Sequence, residues 1–368
     1  MPLFSLSQAR AIVRDLFVPR EWIYWVDFLS SIIAGHLCFA LTRWLYDIHL
    51  EPLALRLTLQ LATFSVQCAC FFRAVMFVHE IVHLPQQRFR AFRAVWNLLC
   101  GIPFLVPAFT YELHLDHHRR PHFGTEHDGE YLALGRGSPL WIVVYLSQCL
   151  WLPLLAVIRF GLLTPLAWLF PPLRRFVHQR ASSLVMDPAY LRSLPTVEQM
   201  RAIRLQELGC CLFVWGCALV PPLVFQRPLI VLVVHAYLTS VVLVALNGLR
   251  TLAAHRYGSD GHEQSFVDQM LDSVTLDNDS LPAILINPVG LRYHATHHLF
   301  PSLPYHNLRA AHKRLMAELP ADSPYRLTVE RSLLTVIANL WRRAAAASRR
   351  PPNSSYAAPH WKSATSVS

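Results

Sequence analysis

Three short segments carry the residues that could do chemistry: His79-Glu80-Ile81-Val82-His83, His114-Leu115-Asp116-His117-His118 and His294-Ala295-Thr296-His297-His298. On a helix, positions i, i+3 and i+4 share a face. The first segment therefore offers two imidazoles together (His79, His83), and each of the others three (His114, His117, His118; His294, His297, His298). One zinc takes about four ligands, so eight nitrogens are too many for a single zinc and suit two metals of higher coordination. Iron, copper, nickel and zinc all accept imidazole; the spacing leaves the metal open, and the count points to a dinuclear centre.

A lone histidine is ordinarily a surface or hydrogen-bonded residue, and His36, His49, His178, His262, His312 and His360 are read that way. His122, His127, His235 and His306 are intermediate; His235, inside an apolar run, is a functional candidate by position, but one hydrogen bond to a neighbouring helix would satisfy it. Taken alone, His79-Glu80-x-x-His83 is also the signature of a zinc protease, two ligands with a glutamate base. A protease needs one further ligand and has no use for two additional clusters. Ligating histidines usually donate their second nitrogen to a carboxylate, and Glu80, Glu112, Asp116, Asp128, Glu130, Asp260, Asp272 and Asp277 are the candidates near in sequence.

The elements that must position these clusters are membrane elements. With 54% hydrophobic and 15% charged residues the chain is too apolar for an average soluble protein. The eight cysteines form no C-x-x-C pair, which excludes a zinc ribbon and a disulfide scaffold. The formal charge of +10 comes almost wholly from arginine beside apolar segments, which fits a membrane surface or an acidic partner and not nucleic acid. The arginine bias also hints at a bacterial source.

Residues 1–21 lack a signal-peptide pattern, and Ile12, Val13, Leu16 and Phe17 make an apolar stripe expected of an interfacial segment. Four spans are expected, at about 22–47, 53–78, 208–226 and 228–249, within a membrane domain covering 22–320. The second runs directly into His79. Since His79 and His114 must share a side, the apolar stretch Ala94–Thr110 has to dip and return, and by the same parity Pro139–Phe170 has to be a hairpin or an in-plane pair. Thr196-Val197-Glu198-Gln199 reads as a capping box. Residues 321–343 are expected to form an amphipathic surface helix and 344–368 a disordered tail. Arginines crowd the cluster side (Arg88, Arg90, Arg93, Arg119, Arg120, Arg174, Arg175, Arg180, Arg192, Arg201, Arg204, Arg250 and Arg256), against Arg43, Arg56 and Arg227 opposite, so the clusters are expected to face the cytoplasm, in a bacterial inner membrane.

The three clusters, their order, and the trailing Phe300-Pro301-Ser302-Leu303-Pro304-Tyr305-His306-Asn307-Leu308 resemble the histidine boxes of membrane fatty acid desaturases and their hydroxylase relatives, over roughly residues 20–320. The resemblance implies an all-α integral membrane enzyme with a histidine-rich cap, holding two non-haem irons and using dioxygen. Desaturation of a fatty acyl chain is the first expectation, on a lipid, acyl-CoA or acyl-carrier substrate; hydroxylation of a lipid, alkane or carotenoid is the alternative within the fold. No haem-attachment, C-x-x-C or Rossmann pattern occurs in the chain, so electrons are expected from a separate donor such as a ferredoxin or b-type cytochrome. The resemblance also implies a ninth ligand just after the last span, matched here by His255. In some of the family an asparagine one turn earlier reaches the second metal through water; Thr251 stands at that place here, with Asn247 a further turn back.

Overall fold

The computed structural model describes residues 4–48, 50–224, 226 and 229–349. His49, Arg227, Pro228 and the expected tail from residue 350, His360 included, lie outside them. Five helices are long and apolar enough to cross a membrane: α1 (Glu21–Asp47), α2 (Leu53–His83), α3 (Leu140–Leu169), α4 (Val197–Val224) and α5 (Leu229–Ala254). The protein is an all-α multi-pass membrane protein, with one two-stranded parallel pairing of Thr275–Leu276 and Val329–Glu330 as its sheet among the described residues.

The spans α1 and α2 pack closely because Gly35 lets Phe71 lie against the α1 backbone; any side chain there would collide with that ring. Near the cluster-side end, Asp27 of α1 takes both Arg73 of α2 and the Tyr305 hydroxyl (2.7 Å). The capping box forms as read: Thr196 Oγ1 accepts from Gln199 N (3.2 Å) and Gln199 Oε1 from Thr196 N (2.9 Å). The helix it starts continues without a break into the membrane segment, so α4 begins well before the expected 208.

Neither the hairpin nor the in-plane pair expected in Pro139–Phe170 is formed. The segment is the continuous α3, relaxed by a π-helical turn at Arg159–Leu163, so five apolar helices stand where four spans were expected. What the structure ties down is the two ends of α3. Its start packs beside Gly248 near the end of α5. Its far end leads into the helix Pro171–Arg180, whose Arg174 Nη1 pairs with buried Glu207 of α4 (2.6 Å), as does Arg159 Nη2 (2.6 Å). Leu150, Leu154, Leu155 and Ile158 face outward, and at its middle the Leu150 carbonyl accepts from the Tyr237 hydroxyl of α5 (2.9 Å). The stretch 94–110 folds back along α2 through the helix Arg90–Trp96, a π turn at Asn97–Gly101 and a 3-10 turn at Ala108–Tyr111: Trp96 Nε1 donates to the Ala74 carbonyl (2.9 Å), Phe104 lies edge-on to Phe71, and Tyr111 returns to His79.

On the histidine side, α6 (His294–Leu299) and α7 (Tyr305–Glu318) are followed by α8 (Leu333–Ser348). The amphipathic helix expected at 321–343 thus starts later and runs past residue 344. Ser332 caps it, and Leu333, Val336, Leu340 and Ala344 bury its apolar stripe while Leu334 and Trp341 stay exposed. Sequence reading placed its boundaries wrongly because residues 324–330 fold as a 3-10 turn and a strand paired with Thr275–Leu276.

Candidate metal centre

Each cluster sits where chain continuity and one or two ties hold it. His79 and His83 occupy the last turns of α2. His114–His117 form a single helical turn after the re-entrant stretch, with His118 as its cap. His294, His297 and His298 lie on α6, pinned because Thr296 Oγ1 and the Tyr325 hydroxyl are 2.6 Å apart and His312 Nδ1 lies 2.7 Å from that hydroxyl. The trailing segment ties the third cluster to the spans. It carries Tyr305 back to α1 and α2, where its N–H donates to Glu80 (3.4 Å) and its hydroxyl to Asp27.

Nine imidazoles converge in two groups, His79, His83, His114, His118 and His297 in one, His117, His255, His294 and His298 in the other. All nine residues expected as ligands are therefore brought together, and each H-x-x-H-H divides in the same way. On a helix, i+4 is displaced by about +40° and i+3 by about −60° from i. The pairs His114/His118 and His294/His298 accordingly stay together, and His117 and His297 cross to the other group. Within groups the Nε2 atoms close in: His118 lies 3.0 Å from His114 and 3.1 Å from His297, and His255 lies 3.1 Å from His117 and 2.9 Å from His294.

Three of the eight candidate carboxylates reach these rings. Glu130 Oε2 meets His114 Nδ1 (2.9 Å), Asp128 Oδ2 meets His117 Nδ1 (2.8 Å), and Asp272 Oδ2 lies 3.4 Å from His255 Nδ1. Such contacts hold each ring with Nε2 toward the group centre. The other five are engaged elsewhere: Glu112 with Arg192, Asp116 with Arg119, Asp260 with the His262 N–H, Asp277 beside His312, and Glu80 with the Tyr24 hydroxyl (3.0 Å). Glu80 is thus turned away from the histidines between which a protease would need its base. Sequence reasoning missed Gln269, whose side-chain amide lies 3.4 Å from His298 Nδ1; no spacing links the two. His306 accepts from Arg20 N, His235 Nε2 meets Gln67 Oε1 while its ring stacks on Phe39, and His122 and His127 stand outside both groups.

Burial pushes His114, His118, His294, His297 and His298 well below the ordinary imidazole range, and neighbouring rings add to the shift. Neutral rings offer the lone pairs that ligation requires. Burial also lowers His255, against the opposing pull of Asp272. For His117 burial acts downward too, but Asp128, Glu130 and Asp272 outweigh it and the net shift is upward. Burial lifts Glu130 to about 8.

The donor set fits metal ions on a second count. Both nitrogens of His79 and the Nε2 of His83 are buried without a hydrogen-bond partner. Buried polar atoms are nearly always satisfied, and an ion at the centre of each group would satisfy those facing it. A cavity of about 2360 Å³ reaches His79 from among α1, α2, α3, α4 and α5, with Phe39, Phe71, Trp151, Phe213 and Ala236 in its wall.

The sequence profile of the fatty acid desaturase family matches residues 55–329. The chain belongs to this family. Over 344 residues, 91% of this chain and 93% of the relative, the desaturase-family chain is 35% identical to a ceramide hydroxylase of Caulobacter vibrioides (strain NA1000 / CB15N). No solved structure matches it. Membership makes the protein an oxidoreductase of the desaturase and hydroxylase superfamily, with histidine clusters that could hold metal.

Proposed function

We propose that this protein hydroxylates a long-chain membrane lipid of the ceramide class, with dioxygen and two irons held by His79, His83, His114, His118 and His297 on one side and His117, His255, His294 and His298 on the other. The observation that carries the reading is the nine-imidazole double group at the end of a large apolar cavity, in a chain 35% identical to a named ceramide hydroxylase. That relative's name favours oxygen insertion over the loss of two hydrogens, so hydroxylation is placed ahead of acyl desaturation. When bound, the irons supply the oxidation: dioxygen, two electrons and two protons are consumed, one oxygen enters the C–H bond and the other leaves as water.

The chain's own residues prepare that step. Glu130, Asp128 and Asp272 orient His114, His117 and His255. The apolar wall holds the lipid chain and keeps bulk water from the site, so that binding energy fixes one methylene in place. The cavity volume exceeds the roughly 300–1,000 Å³ of ordinary small-molecule pockets, which suits a two-chain lipid. Electrons would come from a separate donor, a ferredoxin or b-type cytochrome, reaching the arginine-rich face on the cytoplasmic side of a bacterial inner membrane.

Lipid profiling of cells with and without the protein tests the reaction. A ceramide heavier by one oxygen, formed only with dioxygen and absent in His297→Ala, is expected; a lipid lighter by two hydrogens would restore desaturation, and cleaved peptide without lipid change would restore the protease. Topology has its own test. Single cysteines in place of Arg90, Arg120 and Arg204, in a cysteine-free background, should all label from the cytoplasm, and labelling from opposite faces would refute a shared site.

A further inference from the structure

One buried cation on the cavity wall holds no other element of the fold. Arg250, on α5, donates from Nε to Asn247 Oδ1 (3.1 Å) and from Nη2 to Thr251 Oγ1 (3.0 Å), both neutral and both on its own helix. Among the described residues it makes no ion pair and no hydrogen bond to another element. The other buried arginines differ: Arg159 holds Glu207, and Arg192 holds Glu112 together with the Phe109 and Ser182 carbonyls. Glu130 is the carboxylate in its field and lines the same cavity, but it gives Oε2 to His114 and makes no contact with the guanidinium among the described residues. A buried charge without a partner is costly and is kept where something pairs with it.

The surroundings say what that is. Arg250 lines the cavity together with Tyr145, Gln148, Asn247 and Thr251, a polar collar, and stands five residues before His255, just inside the end of α5 at Ala254. Farther along α5 from the histidines, the lining is mostly apolar, with Leu243, Ala236, Val233 and Leu232 in it and Tyr237, Thr239 and Ser240 between them, and it holds no charged residue of α5. A lipid filling this cavity meets its hydrogen-bond donors beside the histidines and its hydrocarbon wall beyond them.

We infer that Arg250, with Asn247 and Thr251, binds an oxygen acceptor at the polar end of the lipid, its acyl carbonyl, so that oxidation falls on a carbon within a few bonds of the head group and not toward the chain end. Arg250 is then a specificity-determining residue: its planar fork matches a carbonyl or carboxylate, and it fixes which methylene faces the metal centre. The inference rests on the lipid-hydroxylase reading, and a free acid or an N-acyl amide would present the same carbonyl.

The test uses the full-length protein in lipid nanodiscs, with N-palmitoyl sphinganine, palmitic acid and hexadecane as probes of the cavity, read by tryptophan fluorescence. Wild-type protein should bind a carbonyl-bearing probe more tightly than hexadecane. Arg250→Gln should weaken that probe by roughly tenfold or more, as loss of a charge-assisted hydrogen bond does, and leave hexadecane and metal content unchanged. Arg250→Lys should recover part of the loss. Tighter binding of palmitic acid than of the amide would assign the carbonyl to a free acid. In cells making the wild-type protein, fragmentation mass spectrometry should place the new oxygen next to the head group. Equal affinity of wild type for hexadecane and both carbonyl probes, or an oxygen near the chain end, overturns the inference and leaves the hydroxylase reading intact. These wild-type readouts decide the matter even if Arg250→Gln does not fold. Absence of any oxygenated lipid overturns both.

Discussion

His255→Ala is expected to lower the metal content from two ions per chain toward one and to abolish lipid oxidation, while His262→Ala keeps both. His255 lies beyond every H-x-x-H-H pattern, yet its Nε2 is 3.1 Å from that of His117 and 2.9 Å from that of His294, at the middle of its group. Removing it leaves three imidazoles in that group against five in the other, so loss should be selective. A change in a residue that merely supports a ligand typically costs 10–100-fold in metal affinity or activity; loss of a ligand itself should exceed that, by about 1,000-fold or more. The exposed His262 shares no group with the others and only its backbone N–H meets Asp260. Elemental analysis of the purified variants decides the point. Two ions and normal turnover in His255→Ala would place the ninth ligand elsewhere.

The second large effect is expected at Asp128. Its carboxylate is buried and accepts three times: Oδ2 from Gly124 N (3.0 Å) and the His117 ring (2.8 Å), Oδ1 from Glu130 N (3.0 Å). It therefore folds the loop after the second cluster and orients His117 at once, and it sets the backbone from which Glu130 reaches His114. The loop can close this tightly because Gly124 adopts a left-handed φ of +68°, a region open to glycine at little steric cost. Asp128→Ala should reduce activity and metal affinity by roughly 10–100-fold and lower the melting temperature of the metal-free protein, since two buried donors and one half-buried donor lose their acceptor. Asp128→Asn keeps the shape and one acceptor oxygen, and should fall between. Metal titration with the melting temperature as a second readout separates the two effects; unchanged metal affinity in Asp128→Ala would mean that His117 does not depend on it.

These two residues mark how far the sequence could be read. Eight imidazoles were legible because helical periodicity is local: spacing alone tells which side chains share a face. The same periodicity contains the division of each H-x-x-H-H, yet which pair joins which depends on how α2, α5, α6 and the His114 turn meet, and that is packing. His255 entered through family resemblance, with no spacing of its own to announce it. Asp128, Glu130 and Asp272 stood among eight plausible carboxylates, and sequence distance did not rank them, because the loops that deliver them are shaped by Gly124, by the bond from Gly135 N to the Tyr257 carbonyl and by that from Arg256 N to the Asp272 carbonyl. Glu80 lies beside a ligand in sequence and faces away from it, since the next residue on a helix points about 100° aside.

For the fold, apolar runs determined that the chain lives in a membrane, and parity led to the expectation that the stretches 94–110 and 139–170 return to the side they left. Parity fixes where ends lie and says nothing of the path between them. The tertiary structure decided that the second of these is one long helix, α3, whose far end is drawn to α4 because Arg159 and Arg174 converge on the buried Glu207. It also decided that Arg250, one arginine among many in the sequence, lines the large cavity and makes no ion pair among the described residues. Local chemistry, ligand type and helix period are written residue by residue; which groups share one buried space is settled only when distant segments desolvate one another.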